Sequence, residues 1–96
     1  MARLLKADGT DTFVYPEGKK WTLAELQKYV GGDIELMPGI GARRIIMNEY
    51  GQRLRLPINY KATEYIRTLL LETKVPLRYN PVIVGDVLIL EAKEKM

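Results

Sequence analysis

Apolar and polar residues along the first half of the chain follow a pattern that predicts strands on both sides of a helix. Residues 3–7 and 12–15 are rich in apolar, aromatic and β-branched side chains, and the Asp-Gly pair between them is typical of a hairpin turn. Residues 33–37 alternate polar and apolar, as half-buried strands do, and residues 43–47 form a further apolar stretch. We therefore predict one hairpin before the helix and two strands after it.

The first helix is predicted over residues 23–30, because both of its ends carry local signals. Thr22 and Glu25 have the spacing of a capping box, and Trp21 and Leu26 have that of a hydrophobic staple. A Gly-Gly pair follows the helix and supplies the left-handed residue that ends it. The side chains expected to face the core are Leu23, Leu26, Tyr29 and Val30.

A second hairpin is predicted in the middle of the chain. The strand 43–47 is followed by a turn at residues 48–51, with its glycine in the left-handed position. Residues 52–56 then alternate strictly, which predicts a returning strand. This alternation places Arg53 and Arg55 on one face of the strand and two leucines on the other.

The last third of the chain predicts a helix and one more strand. Asn59 is placed to cap a second helix over residues 60–72. Residues 82–84 and 87–90, joined by a Gly-Asp pair, predict a bent or bulged strand that is buried on both faces. The apolar positions at helical spacing are Ala62, Tyr65, Ile66, Leu69 and Leu70.

The order of these elements is β-β-α-β-β-β-α-β, which predicts an α+β fold. A chain of 96 residues has the length of one domain, so we predict a single small domain over residues 1–92 and a polar tail over residues 93–96. The sheet is expected to be mostly antiparallel or mixed, and to be covered by the two helices on one side.

The residue types that are missing exclude much catalytic chemistry. The chain has no Cys, no His and no Ser, which removes thiolate and serine nucleophiles and the commonest zinc ligands. Asp33 and Glu35 share a strand face, as an acid–base pair would, but polar residues are also routine beside a turn. We therefore predict a non-enzymatic protein with no metal and no cofactor.

Positive charge is concentrated in the middle of the chain. The formal net charge is +3, and residues 43–67 carry a basic excess of their own. Arg43, Arg44, Arg53 and Arg55 could form a cationic stripe across the predicted hairpin, and guanidinium groups suit the phosphates of an anionic ligand. A solvated strand face that discourages edge-to-edge pairing is the other interpretation of the same pattern.

Three further residues complete the candidate ligand-binding set. Gly39 and Gly41 lie in the loop before the arginines, where glycines would let backbone N–H groups approach an anion. The loop lacks the spacing of a phosphate-binding loop, so an ordinary turn between strands stays open. Tyr50, at the predicted hairpin tip, is expected to be exposed, where it could stack on a base or fill a pocket of a partner.

Three segments resemble a group of small domains of unknown function that are encoded largely by bacteriophages and mobile elements. The segments are residues 32–38, 46–59 and 83–89, and the most specific portion reads Asn-Glu-x-Gly followed by Leu-Pro-x-Asn. The resemblance covers nearly the whole chain. It implies a phage or mobile-element accessory protein of the bacterial cytoplasm, but it implies no activity and no functional residue.

Localisation is expected to be cytoplasmic. No apolar run approaches the roughly 18 residues that a membrane span needs, and the chain does not start with a charged and then apolar leader. We therefore expect no contact with a membrane.

Three functions stay open from the sequence. Small accessory proteins of this provenance often counter host defence, so our first hypothesis is a homo-oligomer that sequesters an anionic nucleotide-type ligand at a subunit interface. The alternative is an inhibitor that binds a bacterial defence protein directly, through Tyr50, Tyr79 and an outward Leu71 on the second helix. Weak nucleic-acid binding is less favoured, because no run of Lys and Arg exceeds two residues.

Overall fold

Five strands and two helices make up the described part of the chain. The computed structural model describes residues 1–37, 43–72, 82–91 and 93–94. Its elements are β1 (Ala2–Leu5), β2 (Asp11–Val14), α1 (Leu23–Val30), β3 (Ile34–Met37), β4 (Arg44–Asn48), α2 (Tyr60–Glu72) and β5 (Val87–Leu90). The predicted α+β class and the order of strands and helices are confirmed, except that the predicted strand 52–56 is not one of the five.

The strands form one antiparallel sheet in the order β2-β1-β5-β4-β3. β5 lies at its centre, and all four residues of β5 are buried. The prediction of a final strand buried on both faces is therefore confirmed for residues 87–90. Residues 82–84 do not extend this strand. Val84 instead forms a single bridge with Ile58, and Gly85 then turns the chain with a φ of 77°.

The two helices lie on opposite faces of the sheet, so the expectation that both cover one side was wrong. Side chains alternate along a strand, so Ile45 and Ile46 point to opposite faces and belong to different buried clusters. A central strand that is apolar at every position needs cover on both faces. The α2 cluster contains Leu5, Ile45, Ala62, Ile66, Leu69, Ile83, Val87 and Ile89. The α1 cluster contains Ala2, Leu4, Trp21, Leu26, Val30, Ile46, Leu88 and Leu90.

Helix α1 begins and ends where the sequence predicts. The Thr22 hydroxyl accepts the N–H of Glu25 at 3.2 Å, and the Glu25 carboxylate accepts the N–H of Thr22 at 3.3 Å, which completes the capping box. The N–H of Glu17 also donates to the Glu25 carboxylate. This hydrogen bond and those from Thr22 hold the pKa of Glu25 below its usual value. Leu23 is 57% exposed, so its predicted burial was wrong, because the sheet contacts only the side of this short helix that carries Leu26 and Val30.

The predicted returning strand at residues 52–56 is a helical turn. The N–H of Leu54 donates to the carbonyl four residues earlier at 2.8 Å. The N–H groups of Arg55 and Leu56 donate to carbonyls three and five residues earlier, both at 3.1 Å, which is the pattern of a Schellman helix ending. The left-handed residue of this motif is Arg55, with a φ of 55°, and not Gly51 as predicted. The prediction of a strand from strict alternation was wrong, because no strand within the described ranges pairs with this segment.

Glu94 binds groups at the start of the chain, although it lies in the predicted polar tail. The indole N–H of Trp21 donates to its carboxylate at 2.8 Å, and the ammonium group of Met1 lies 3.5 Å from the other oxygen. The guanidinium of Arg44 donates to the main-chain carbonyl of Glu94. The segment that follows β5 is therefore tied to the α1 face of the sheet.

Candidate functional site

The four predicted arginines do not come together within one protomer. Arg43 and Arg44 lie at the start of β4, whereas Arg53 and Arg55 lie in the helical turn that follows its end. The length of β4 separates the two pairs by roughly 13 Å of extended backbone. The convergence of four guanidinium groups that a hairpin would have produced does not occur, because the second strand of that hairpin does not form.

Arg43 and Arg44 also point to opposite faces of the sheet. Arg44 shares a face with Ile46 and is half-buried, and its guanidinium donates to the main-chain carbonyls of Glu91, at 3.5 Å, and Glu94. Arg43 is exposed and lines a groove on the α2 face. Arg44 therefore has a structural task in this protomer, and Arg43 is the member of the pair that a ligand can reach.

The helical turn presents a surface that we call the Tyr50 face, formed by Tyr50, Arg53 and Leu54. Residues three and four apart lie on the same side of a helical turn. The central carbon of the Arg53 guanidinium lies 5.8 Å from the centroid of the Tyr50 ring. Tyr50 is 42% exposed, which confirms the prediction. Leu54 is 57% exposed, whereas Leu56, which alternation places on the same strand face, is half-buried. An aromatic ring, a cation and an aliphatic chain thus share one open surface.

A buried asparagine holds the start of this turn in place. Asn48 is 6% exposed, and its side-chain oxygen accepts the N–H of Tyr50 at 2.8 Å. Its amide group donates to the carbonyl of Val30, the last residue of α1, at 3.2 Å. The bond to Val30 is buried and the bond to Tyr50 is partly buried, so an unpaired partner would be costly, most of all at Val30. The backbone of Tyr50 is therefore linked to helix α1 through one side chain.

Two further contacts fix the body of the turn. Gly51 packs so closely on the segment after α2 that a Cβ atom at this position would lie 2.9 Å from Cγ2 of Val84. The side-chain amide of Gln52 donates to the carbonyl of Val82 at 3.3 Å. The close packing of Gly51 on Val84 and the hydrogen bond of Gln52 to Val82 therefore hold the Tyr50 face in position.

Replacing Arg55 by Gly should stabilise the protein, although it removes a charged side chain. A non-glycine residue in the left-handed region costs about 1–2 kcal/mol. Glycine avoids this cost, but it loses more conformational entropy on folding, which offsets part of the gain. We expect a net gain of about 0.5–1 kcal/mol, measured as a higher urea midpoint. Arg53→Gly is the control, because Arg53 lacks the positive φ and should lose stability on the same change. A destabilised Arg55→Gly variant would contradict the assigned helix ending.

A second open surface is a groove on the α2 face, beside β1. The Arg3 guanidinium donates to both carboxylate oxygens of Asp11, at 2.9 and 2.8 Å, and its carbon lies 5.5 Å from the ring centroid of Tyr65. The hydrogen bonds between them raise the pKa of Arg3 and lower the pKa of Asp11. Depressions of about 200 and 340 Å³ meet at Arg3 and Tyr65. Among the described residues that line them, three side chains are positive and three are negative, namely Arg3, Arg43 and Lys61 with Asp11, Glu64 and Glu91.

Sequence reasoning missed the residues that shape these two surfaces. Strict alternation places Leu54 on one strand face with Leu56, although the spacing of Leu54 from Tyr50 also fits one helical turn. Arg3 and Phe13 lie in the two strands of the predicted first hairpin, and no pattern within those strands distinguishes them. Tyr65 packs against the cluster beneath α2, as its helical spacing predicts, and its half-buried ring also lies beside Arg3.

Some predicted residues lie outside the part of the chain that the structure describes. Gly39, Gly41 and Tyr79 belong to this group. Within the described ranges, no three His, Cys, Asp or Glu side chains are placed to hold a metal ion. No helix among the described residues is both long and apolar enough to cross a membrane.

Comparisons with known proteins identify a family and no individual relative. A family model described as a domain of unknown function, DUF3846, matches residues 3–96. This confirms the expected membership in a family of domains of unknown function. No curated protein and no solved structure matches the chain.

Proposed function

Because the chain belongs to the DUF3846 family of domains of unknown function, we propose its function from its geometry: it is a non-enzymatic accessory protein that binds another protein. More specifically, we propose that the protein is encoded by a phage or mobile element. It acts in the bacterial cytoplasm and covers the working surface of a host defence protein. The observation that supports binding to a protein is the Tyr50 face, with its exposed ring and aliphatic chain on a fixed turn.

The Tyr50 face has the composition and the rigidity that favour a protein partner. Tyr and Arg are, with Trp, the residue types that are enriched where single side chains dominate the binding energy of an interface. The hydrogen bonds of Asn48 and Gln52 hold the turn before any partner arrives. Binding therefore costs little conformational entropy in this segment. Arg53 and Arg55 add positive charge, so the matching surface of the partner is expected to be acidic.

The test compares two leucines that are equally exposed. The tagged protein is expressed in bacteria, the bound protein is identified by mass spectrometry, and its affinity is then measured with purified components. Tyr50→Ala and Leu54→Ala should each weaken binding roughly tenfold to a hundredfold. Leu23→Ala is the control, because Leu23 and Leu54 are both 57% exposed. Equal affinities of the Leu54 and Leu23 variants for the partner would refute the assignment of the Tyr50 face.

Sequestration of an anionic nucleotide-type ligand is a second proposal. One observation favours it: Arg43 is exposed in a groove of about 200 Å³ that Phe13 and Tyr65 also line, so that a cation and aromatic rings are close together. Arg53 and Arg55 are too distant to join this groove within one protomer. Calorimetric titration with cyclic and linear nucleotides tests the proposal, and Arg43→Ala should abolish the heat while Arg53→Ala keeps it. If the titration shows no heat of binding for any nucleotide, the sequestration proposal is wrong.

A further inference from the structure

Part of the sheet face that α2 packs on is uncovered at the β2 edge. Phe13 pairs with Arg3 across the sheet and so lies on this face, where it is 56% exposed. Tyr15, two residues on, is 68% exposed. Met1 is 49% exposed, and its sulfur accepts a hydrogen bond from the Tyr15 hydroxyl at 3.5 Å. Three large apolar side chains therefore form one open surface that the cluster beneath α2 does not include.

One positive and one negative side chain border the same surface. The register of the sheet places Arg43 and Glu91 in one row with Met1, and all three line the groove of about 200 Å³ beside Phe13. Arg43 has no ion-pair partner within the part of the chain that the structure describes. Glu91 lies 4.0 Å from the ammonium of Lys93, and both of these side chains are exposed. A pair this exposed contributes little, so Glu91 remains available to a stronger partner.

We propose that this surface is the interface of a homodimer. We call it the α2-side patch, and its members are Met1, Phe13, Tyr15, Arg43 and Glu91. In a two-fold contact the same patch serves both subunits, so the Arg43 of each protomer meets the Glu91 of the other. The apolar side chains of the two copies then cover one another at the centre. The proposal does not rest on the Tyr50 face, which lies at the other end of β4.

Charge balance favours a second copy over an unrelated partner. A partner of one charge sign would attract either Arg43 or Glu91 and repel the other. An identical patch offers a partner to both residues. Because two-fold symmetry repeats each contact, the Arg43 of each protomer can pair with the Glu91 of the other. The apolar centre is small for a stable interface, so the dimer is expected to be weak, with dissociation in the micromolar range.

The first experiment follows the oligomeric state with concentration. Sedimentation velocity on the wild-type protein should show a monomer that converts to a dimer between low micromolar and millimolar concentration. Phe13→Glu should remain monomeric, because it buries a charge at the centre of the contact. Leu23→Glu is the matched control, since Leu23 is exposed to nearly the same degree, 57% against 56%. It should dimerise like the wild type.

The second experiment uses exchanged charges. Arg43→Glu and Glu91→Arg should each be monomeric alone, because both variants place like charges across the interface. An equimolar mixture of the two should form a heterodimer. One protomer then carries two acidic side chains at positions 43 and 91, and they face the two basic side chains of the other protomer. The repulsion inside each protomer is the same before and after mixing. Recovery on mixing therefore reports contact between protomers and cannot come from repaired folding.

Three results would overturn the proposal. The first is a wild-type protein that stays monomeric at millimolar concentration. The second is a dimer that forms equally well in Phe13→Glu, and the third is a mixture of the charge variants that stays monomeric while the wild type dimerises. Either of the last two would place the dimer contact on another surface. Circular dichroism of each variant shows in advance that it is folded.

Discussion

Replacing Asn59 by Ala is expected to lower the free energy of unfolding by about 3–5 kcal/mol, since three buried groups would each lose a partner at about 1–3 kcal/mol. Asn59 is fully buried. Its amide group donates to the carbonyls of Leu5 and Gly85, both at 2.8 Å, and its side-chain oxygen accepts the N–H of Ala62 at 3.0 Å. Asn59 therefore connects β1, the turn before β5 and the start of α2. Urea denaturation measures the loss.

Asn59→Asp separates the helix cap from the two donated hydrogen bonds. Aspartate keeps an oxygen that can accept the N–H of Ala62, but it places a second oxygen against the carbonyls of Leu5 and Gly85. We expect a loss at least as large as for Ala, because a buried carboxylate would face two acceptors. An Asp variant as stable as the wild type would show that capping alone explains the role of Asn59.

Gly85→Ala is expected to cost about 2–3 kcal/mol, because the new methyl group meets two separate obstacles. The residue has a φ of 77°, and a Cβ atom would lie 2.8 Å from Cδ1 of Leu56. Gly9→Ala supplies the comparison, since Gly9 has a φ of 98° and open space around its Cβ position. It should cost only the conformational part, about 1 kcal/mol. Thermal or urea unfolding of both variants gives the difference.

A double-mutant cycle assigns that difference to one contact. In a Leu56→Ala background, the side chain that obstructs the new methyl group is shortened. The cost of Gly85→Ala should then fall to that of Gly9→Ala. If the excess cost persists in the Leu56→Ala background, the steric account of Gly85 is wrong, and the strain must come from the backbone.

The segments that carry the family resemblance mostly build the fold. Asn48 links β4 to α1, Gly51 allows the turn to pack on Val84, and Asn59 holds three elements together. Gly85 allows the final turn before β5. In this chain, these four residues serve the architecture through buried contacts and backbone turns. Function is therefore better sought at the exposed positions between them, such as Tyr50, Arg53 and Leu54.

Local signals predicted the elements that depend on local contacts. Helix α1 begins at residue 23 and ends at residue 30 as predicted, because its capping box and its glycine act within a few residues of each other. Asn59 caps α2 for the same reason, through the N–H of a residue three positions on. The buried final strand was visible in its unbroken apolar run. The tip of the middle turn was correctly predicted to expose Tyr50.

Long-range packing decided the arrangement of these elements and of the charges. Residues 52–56 would form a strand only if they could pair with a neighbouring strand such as β4. β4 pairs instead with β3 and with β5, and β5 lies more than thirty residues further along the chain. That pairing separates the predicted arginines, and it brings Arg43 to the groove that Arg3 and Phe13 of the first hairpin line. A pattern of period two or 3.6 records which side of an element is apolar. It carries no information about which other element will cover that side.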